Sequence, residues 1–179
     1  MLSSRSNASR PVSTRLYARF NAIAWDLRYA LLGRHFAVPS DVMIEIGRPS
    51  ALLDVGCGRG NLLRMLRARG WNGTYCGIDV SRYALAQARK IRDHNAIFRV
   101  ESLENFNAGE WDCIVIAETI YYVDLAEVQR QIGKYRSLLN PGGKLLIRIH
   151  DFRKFRRYVV EVCSTGAEPA SSALLIVNK

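Results

Sequence analysis

Leu52-Leu53-Asp54-Val55-Gly56-Cys57-Gly58-Arg59-Gly60-Asn61 is the stretch that decides the fold. An apolar run enters a turn with glycine at every second position, and a carboxylate stands two residues before the first glycine. A second apolar run, Tyr75-Cys76-Gly77-Ile78, ends in another acid, Asp79. Glycine lets a ligand lie against bare backbone, and the N-terminal amides of a helix starting near Asn61 aim at the same place. An acid at the end of the second strand is placed to accept hydrogen bonds from a ribose. Together these features predict a site for a nucleoside-containing cofactor. The dinucleotide fingerprint needs glycine or alanine where this chain has Asn61, which disfavours a pyrophosphate-binding site. Asp54 is instead well placed to meet a cationic group.

Three further stretches follow in order: Gly77-Ile78-Asp79-Val80-Ser81, the strand Trp111–Glu118, and Leu138-Leu139-Asn140-Pro141-Gly142-Gly143-Lys144-Leu145-Leu146-Ile147. With Asp54–Gly60 they make residues 48–150 resemble the class I S-adenosylmethionine-dependent methyltransferases. The resemblance implies S-adenosyl-L-methionine as cofactor. It implies that Asp54, Gly56, Cys57, Gly58 and Gly60 hold the methionine part, that Asp79 holds the ribose hydroxyls and that Val80 packs on the adenine. Ala117, at the end of the fourth strand, joins the cofactor-binding set. The adenine amine has three candidate partners after strand three: Ser102, the Leu103 backbone and Glu101.

The chain has 179 residues and a formal charge of +10. That length suits a single domain with one real core. Three regions are expected: a helical cap over 1–48, a cofactor-binding core over 49–150, and a short helix with a hairpin over 151–179. No apolar run reaches the roughly 20 residues of a membrane span. Cys57, Cys76, Cys113 and Cys163 form no C-x-x-C pair, and they read as buried free thiols in a reducing compartment. Neither they nor His35, His94 and His150 suggest a metal site. Arg5, Arg10, Arg15 and Arg19 stand without an acid in the first twenty-five residues. That composition fits a transit peptide, a partner-binding arm or an integral helix, and the unbroken helical pattern favours the last. A cytoplasmic location is the default. The positive charge fits nucleic acid or an acidic substrate as well as it fits a solvated surface.

Strands and helices alternate, which predicts a doubly wound, mostly parallel seven-stranded sheet with helices on both faces. A first helix is expected over Ser13–Phe36, with Leu16, Phe20, Ile23 or Ala24, Leu27 and Leu31 facing inward. A short helix after Pro39 carries Val42, Ile44 and Ile46. The strands are expected at Ala51–Val55, Thr74–Ile78, Ala96–Val100, Cys113–Ala117 and Lys144–Ile149, with a turn at Asn140–Gly143. Tyr158–Cys163 and Ala173–Val177 read as two strands of a C-terminal antiparallel hairpin.

In such a sheet the ligand lies beyond the carboxyl ends of the strands. Glu118 therefore faces the cofactor's amino group or the acceptor, and Tyr121 and Tyr122 either wall the acceptor pocket or pack a helix start. His150 is a candidate general base or a hydrogen-bonded surface histidine. Ala117-Glu118-Thr119-Ile120 replaces the Asn/Asp-Pro-Pro-aromatic motif of enzymes acting on adenine amines or glutamine, which disfavours that class. The stretch through Tyr122 resembles the small-molecule branch, including nodulation-factor N-methyltransferases. Only a short segment, Asp151–Arg157, follows strand five, crowded with Arg153, Lys154, Arg156 and Arg157. It predicts a pocket roofed by the first helix and open on a basic side, suited to a large or anionic acceptor. The expected activity is methyl transfer to oxygen or nitrogen of a small-molecule or conjugate acceptor. An RNA methyltransferase and a cofactor-binding partner protein without catalysis are the alternatives.

Overall fold

The computed structural model describes residues 22–31 and 37–179, so the expectations placed on 1–21 and 32–36 lie outside the described residues. Seven strands form one sheet in the order β3-β2-β1-β4-β5-β7-β6. They are β1 (Ala51–Val55), β2 (Thr74–Asp79), β3 (Ala96–Val100), β4 (Trp111–Ala117), β5 (Leu139–Arg148), β6 (Glu168–Pro169) and β7 (Leu174–Asn178). The pairs β1–β2, β1–β4, β2–β3 and β4–β5 are parallel, and β7 runs antiparallel to β5 and β6. Strand order reverses between β1 and β4, where a crevice opens at their carboxyl ends.

Six helices accompany the sheet among the described residues: α1 (22–31), α2 (Ser40–Ile46), α3 (Asn61–Ala68), α4 (Arg82–Ala88), α5 (Val128–Ser137) and α6 (Arg156–Cys163). Successive strand side chains point to opposite faces, and this period divides the core in two. Leu52, Tyr75, Cys113, Val115 and Leu146 pack with Val42, Met43 and Ile46 of α2 and with Leu62, Leu63 and Leu66 of α3. Leu53, Ile78, Ile114, Ile116, Leu145 and Ile147 pack on the other face, with Val128, Ile132 and Tyr135 of α5 and Val162 of α6. Each such Leu or Ile contributes roughly 1.5–3 kcal/mol by leaving water. Cys57, Cys76 and Cys113 are buried free thiols and Cys163 is half-buried. No described helix is long and apolar enough to cross a membrane.

Four expectations change. Tyr158–Cys163 is helical and not a strand, because Phe155, Tyr158, Val159, Val162 and Cys163 follow a helical period and pack on the core while Val160 is exposed. The hairpin is present, but its first strand is the two-residue β6. On α1 the expected inward stripe faces out: Ile23, Leu27 and Leu31 are 58%, 54% and 78% exposed. Ala22, Trp25, Asp26 and Tyr29 form the inward side, with Tyr29 buried and the others half-buried. Ile44 of α2 is likewise exposed, and Met43 takes the inward place.

The Asn140–Gly143 turn lies within β5 rather than before it. Trp111 pairs with Leu139 and Cys113 with Lys144, so those four residues bulge opposite Asp112 alone. Asp112 holds the bulge by accepting from Asn140 Nδ2 at 2.7 Å, and its other oxygen accepts from the Ser50 and Ala51 amides. Gly142 supplies the positive φ of 75° that the bulge requires.

Candidate active site

The loop after β1 is shaped by its glycines. Gly56 has φ 81° and Gly58 has φ 53°, conformations that L side chains avoid. A Cβ on Gly56 would stand 2.2 Å from Thr119 Oγ1, and one on Gly58 would stand 2.7 Å from the Tyr29 hydroxyl oxygen. Both residues are therefore fixed by close approach as well as by backbone angle. The Gly56 and Cys57 amides donate to Ile78 O at 2.8 and 3.0 Å, which ties the loop to the end of β2.

Asp79 closes that end. One carboxylate oxygen accepts from the Gly58 amide at 2.9 Å and the other from the Ser81 amide at 2.8 Å. Burial raises its pKa above the usual carboxylate range, against the two amide bonds, which favour the charged form. Asp54 is buried beneath the loop and accepts from the Tyr75 hydroxyl at 2.5 Å. Burial pushes its carboxyl up to about 7, again despite that hydrogen bond. The Cys57 thiol is pushed up by burial and by the neighbouring carboxylates, so it stays neutral.

A cleft of about 1550 Å³ runs along these strand ends. Asp54, Gly56, Cys57, Gly58, Asp79, Val80, Ser102, Leu103 and Ala117 line it, and so do Glu118, Tyr121, Tyr122 and His150. Thirteen of the site residues expected from the sequence thus line one cavity. Gly60 is the exception. It stands at the N-terminus of α3, and a Cβ there would press on Ile91 and Phe98. Its place is packing against the neighbouring elements and not the cleft wall. Glu101 also lines the cleft, beside Ser102 and Leu103. Arg153, Lys154, Arg156 and Arg157 do not; the cations on the wall are Arg28, Arg59, Arg130 and Arg148.

Sequence reasoning missed how α1 is fastened. Asp26 accepts from the Ser81 hydroxyl at 2.5 Å and from the Tyr83 amide at 3.0 Å. Arg59 donates to Tyr29 O at 2.6 Å, with its guanidinium 5.8 Å from each of the Tyr29 and Tyr83 ring centres. Trp25 meets Tyr122 edge-on, with ring centres 5.3 Å apart. The helix therefore lies across the glycine loop and the start of α4. The usable signal was the spacing of Trp25, Asp26 and Tyr29 on one helical side.

At the other end of the cleft Glu118 has φ 57°, unusual for a residue with a Cβ. Its carboxylate accepts from the Tyr121 hydroxyl at 2.8 Å, His150 Nδ1 at 2.7 Å and the His150 amide at 3.2 Å. The Arg148 guanidinium pairs with its second oxygen, and Arg148 also reaches Asp41 at 3.2 Å. Tyr121 stacks on Phe155 at 4.2 Å between ring centres, and His150 stands edge-on to both rings. Arg148, Asp41 and Phe155 were not singled out from the sequence, because their roles depend on strand register and on α2 and α6.

Residues 28–162 match the sequence profile of the methyltransferase domain family. A putative methyltransferase of Geobacillus sp. (strain WCH70) is 29% identical over 116 residues, covering 62% of this chain and 47% of the relative. The chain thus spans about half the length of that relative. The fold is similar to N-methyltransferase NodS from Bradyrhizobium japonicum WM9, crystallised with S-adenosyl-L-homocysteine, at TM-score 0.63 and 18% identity over 96% of this chain and 89% of the other. It is also similar to a 1,6-didemethyltoxoflavin-N1-methyltransferase from Burkholderia thailandensis, at TM-score 0.72 and 12% identity over 98% of this chain and 93% of the other. With its seven-stranded sheet, glycine loop and strand-end acids, the chain belongs to the methyltransferase domain family, whose enzymes use S-adenosylmethionine as methyl donor.

Proposed function

We propose that this chain transfers a methyl group from S-adenosyl-L-methionine to oxygen or nitrogen of a small-molecule or conjugate acceptor held in the cleft between α1 and the ends of β4 and β5. The observation that carries the reading is the pair of buried carboxylates, Asp54 and Asp79, flanking a loop whose glycines leave no room for side chains. This donor set fits the cofactor: carboxylates for a cation and a diol, bare backbone for close approach, and Val80 and Leu103 for a flat base. Gly56, Cys57 and Gly58 would hold the amino-acid part, Asp79 the ribose, and Ser102 with Leu103 the adenine edge. Ala117 would border the cofactor, and Tyr121 and Tyr122 the acceptor.

The bound cofactor supplies an electrophilic methyl group on a sulfonium. The protein's contribution is orientation and the exclusion of water. Asp79 fixes the loop and Asp54 supplies negative charge beneath it, while α1 covers the crevice through Trp25 and Tyr29. In this reading the chain acts as one domain, with α1 and α2 as cap and residues 49–150 as core.

Titration calorimetry should give binding of S-adenosylmethionine and of its demethylated product, and none of NAD. Radiolabelled cofactor incubated with a fractionated extract of the source cell should label a low-molecular-mass or conjugate fraction. Label entering bulk RNA with salt-sensitive binding would replace this acceptor class with nucleic acid.

The raised Asp54 pKa gives the binding a pH signature. In the free protein the group takes up a proton near pH 7, whereas a cationic ligand favours the ionised form. Affinity should therefore rise by up to about tenfold per pH unit as pH approaches 7, then level off. The stability linkage has the opposite sign. A carboxyl raised from about 3.8 to about 7 stabilises the fold fully only below the lower value, and that contribution is lost as pH rises through the upper one. Asp54→Asn should flatten the affinity profile and raise the melting temperature of the free protein at pH 8. An unchanged affinity profile in the variant would remove Asp54 from the binding site.

A further inference from the structure

We propose that His150 is the proton acceptor of this site, set by Glu118, and that it serves a hydroxyl methyl acceptor, whose oxygen gives up its proton as it attacks. The inference rests on the methyl-transfer reading above and goes further by naming the acceptor's chemistry. A carboxylate can only accept hydrogen bonds, so the 2.7 Å contact from His150 Nδ1 to Glu118 assigns the proton of the neutral ring to Nδ1. Nε2 then carries the lone pair. His150 lines the same cleft as the glycine loop, with its side chain about half exposed.

Glu118 is held more firmly than a surface carboxylate needs. Its left-handed backbone brings the carboxylate towards the end of β5, where Arg148, Tyr121 and the His150 amide secure both oxygens. Backbone strain of this kind persists where the surroundings over-determine it, and it clusters at functional sites. The Tyr121–Phe155 stack walls the imidazole edge-on along one side. Glu118 is thus a positioning residue, and Arg148, by neutralising part of its charge, makes orientation its main effect.

The location is consistent with the division of labour. The glycine loop follows β1, Glu118 follows β4 and His150 follows β5, and these strands are neighbours in that order. With strands about 4.8 Å apart, His150 stands roughly 10 Å from the end of β1, on the far side of the crevice from the ribose acid Asp79. In the step, the acceptor oxygen forms its bond to the methyl carbon as the carbon–sulfur bond breaks, and the hydroxyl proton passes to Nε2. The products are a methyl ether, a neutral thioether and an imidazolium, which returns its proton to water. The other charged or titratable groups facing the ring are Glu118 from β4, Arg148 from β5, Tyr121 from the following turn, and Asp151 from the loop before α6.

The test uses the full chain. Nitrogen-15 NMR of the imidazoles should show neutral His150 with a protonated Nδ1 and a bare Nε2, and Glu118→Gln should shift the tautomer balance. In the extract fraction that takes up radiolabel, His150→Gln should lower kcat about 100-fold or more with cofactor affinity unchanged. The label should sit in a base-stable, uncharged ether. A protonated Nε2 in the neutral ring, full activity of His150→Gln, or label on an amine nitrogen overturns the proposal. If the wild-type chain labels nothing, methyl transfer itself fails, and the tautomer still decides the geometry of the couple.

Discussion

Asp79→Ala is expected to weaken S-adenosylmethionine binding by about 1.5–3 kcal/mol, or roughly ten- to a hundred-fold, the scale of losing hydrogen bonds to a charged group. Two effects add. The ribose hydroxyls lose their acceptor, and the Gly58 and Ser81 amides lose the carboxylate that currently spans them. The second effect makes the glycine loop less well ordered before any ligand arrives. Removing a buried carboxylate of raised pKa also relieves its desolvation, so the melting temperature of the free protein should change little at neutral pH. Calorimetry and a thermal scan on the same sample separate the outcomes. Unchanged affinity with a collapsed melting temperature would make Asp79 a structural residue and displace the ribose from this strand end.

Gly56→Ala carries the largest expected loss of stability. The new methyl would stand 2.2 Å from Thr119 Oγ1 and 3.3 Å from Thr119 Cβ and Cγ2. The Thr119 hydroxyl donates to Ala117 O at 2.9 Å, so the side chain is held from swinging away. Its branch at Cβ stiffens χ1 further. A positive φ costs an L residue about 1–2 kcal/mol and overpacking about 1–3 kcal/mol, which gives roughly 2–5 kcal/mol in all. For a chain of this size that is a fall in melting temperature of about 4–20 °C. Thr119→Ala in the same chain should recover the steric part and leave the φ penalty. Full recovery in the double variant would show that backbone conformation contributes nothing; no recovery would show that the clash contributes nothing.

What the sequence made legible was local. Ala51–Val55 and Ala96–Val100 match their expected limits, because a turn signal bounds each run. The glycine loop and Asp79-Val80-Ser81 are each short runs at the ends of consecutive strands, so their residue patterns carried the cofactor side. The failures share a physical cause. Tyr158, Val159, Val160 and Val162 have strand propensity, yet tertiary burial of alternate helical positions against α5 outweighs it. On α1 the aliphatic residues looked like the core side, whereas the contact surface uses Trp25, Asp26 and Tyr29, whose polar atoms find partners on the loop and on α4. The Arg148–Glu118–His150 arrangement joins residues far apart in sequence, and only the β4–β5 register brings them within reach.

The contact of Asp26 with the start of α4 has a kinetic consequence. The Tyr83 amide donates to a carboxylate that belongs to α1, whereas the Gly58 amide donates to Asp79 within the sheet. Native-state hydrogen exchange measures the free energy of the opening that exposes each amide. Tyr83 should therefore exchange whenever α1 lifts, well before the sheet opens, while Gly58 follows the slower motion of the loop. A single backbone proton thus serves as a clock for access to the cleft, readable without any ligand and separable from global unfolding.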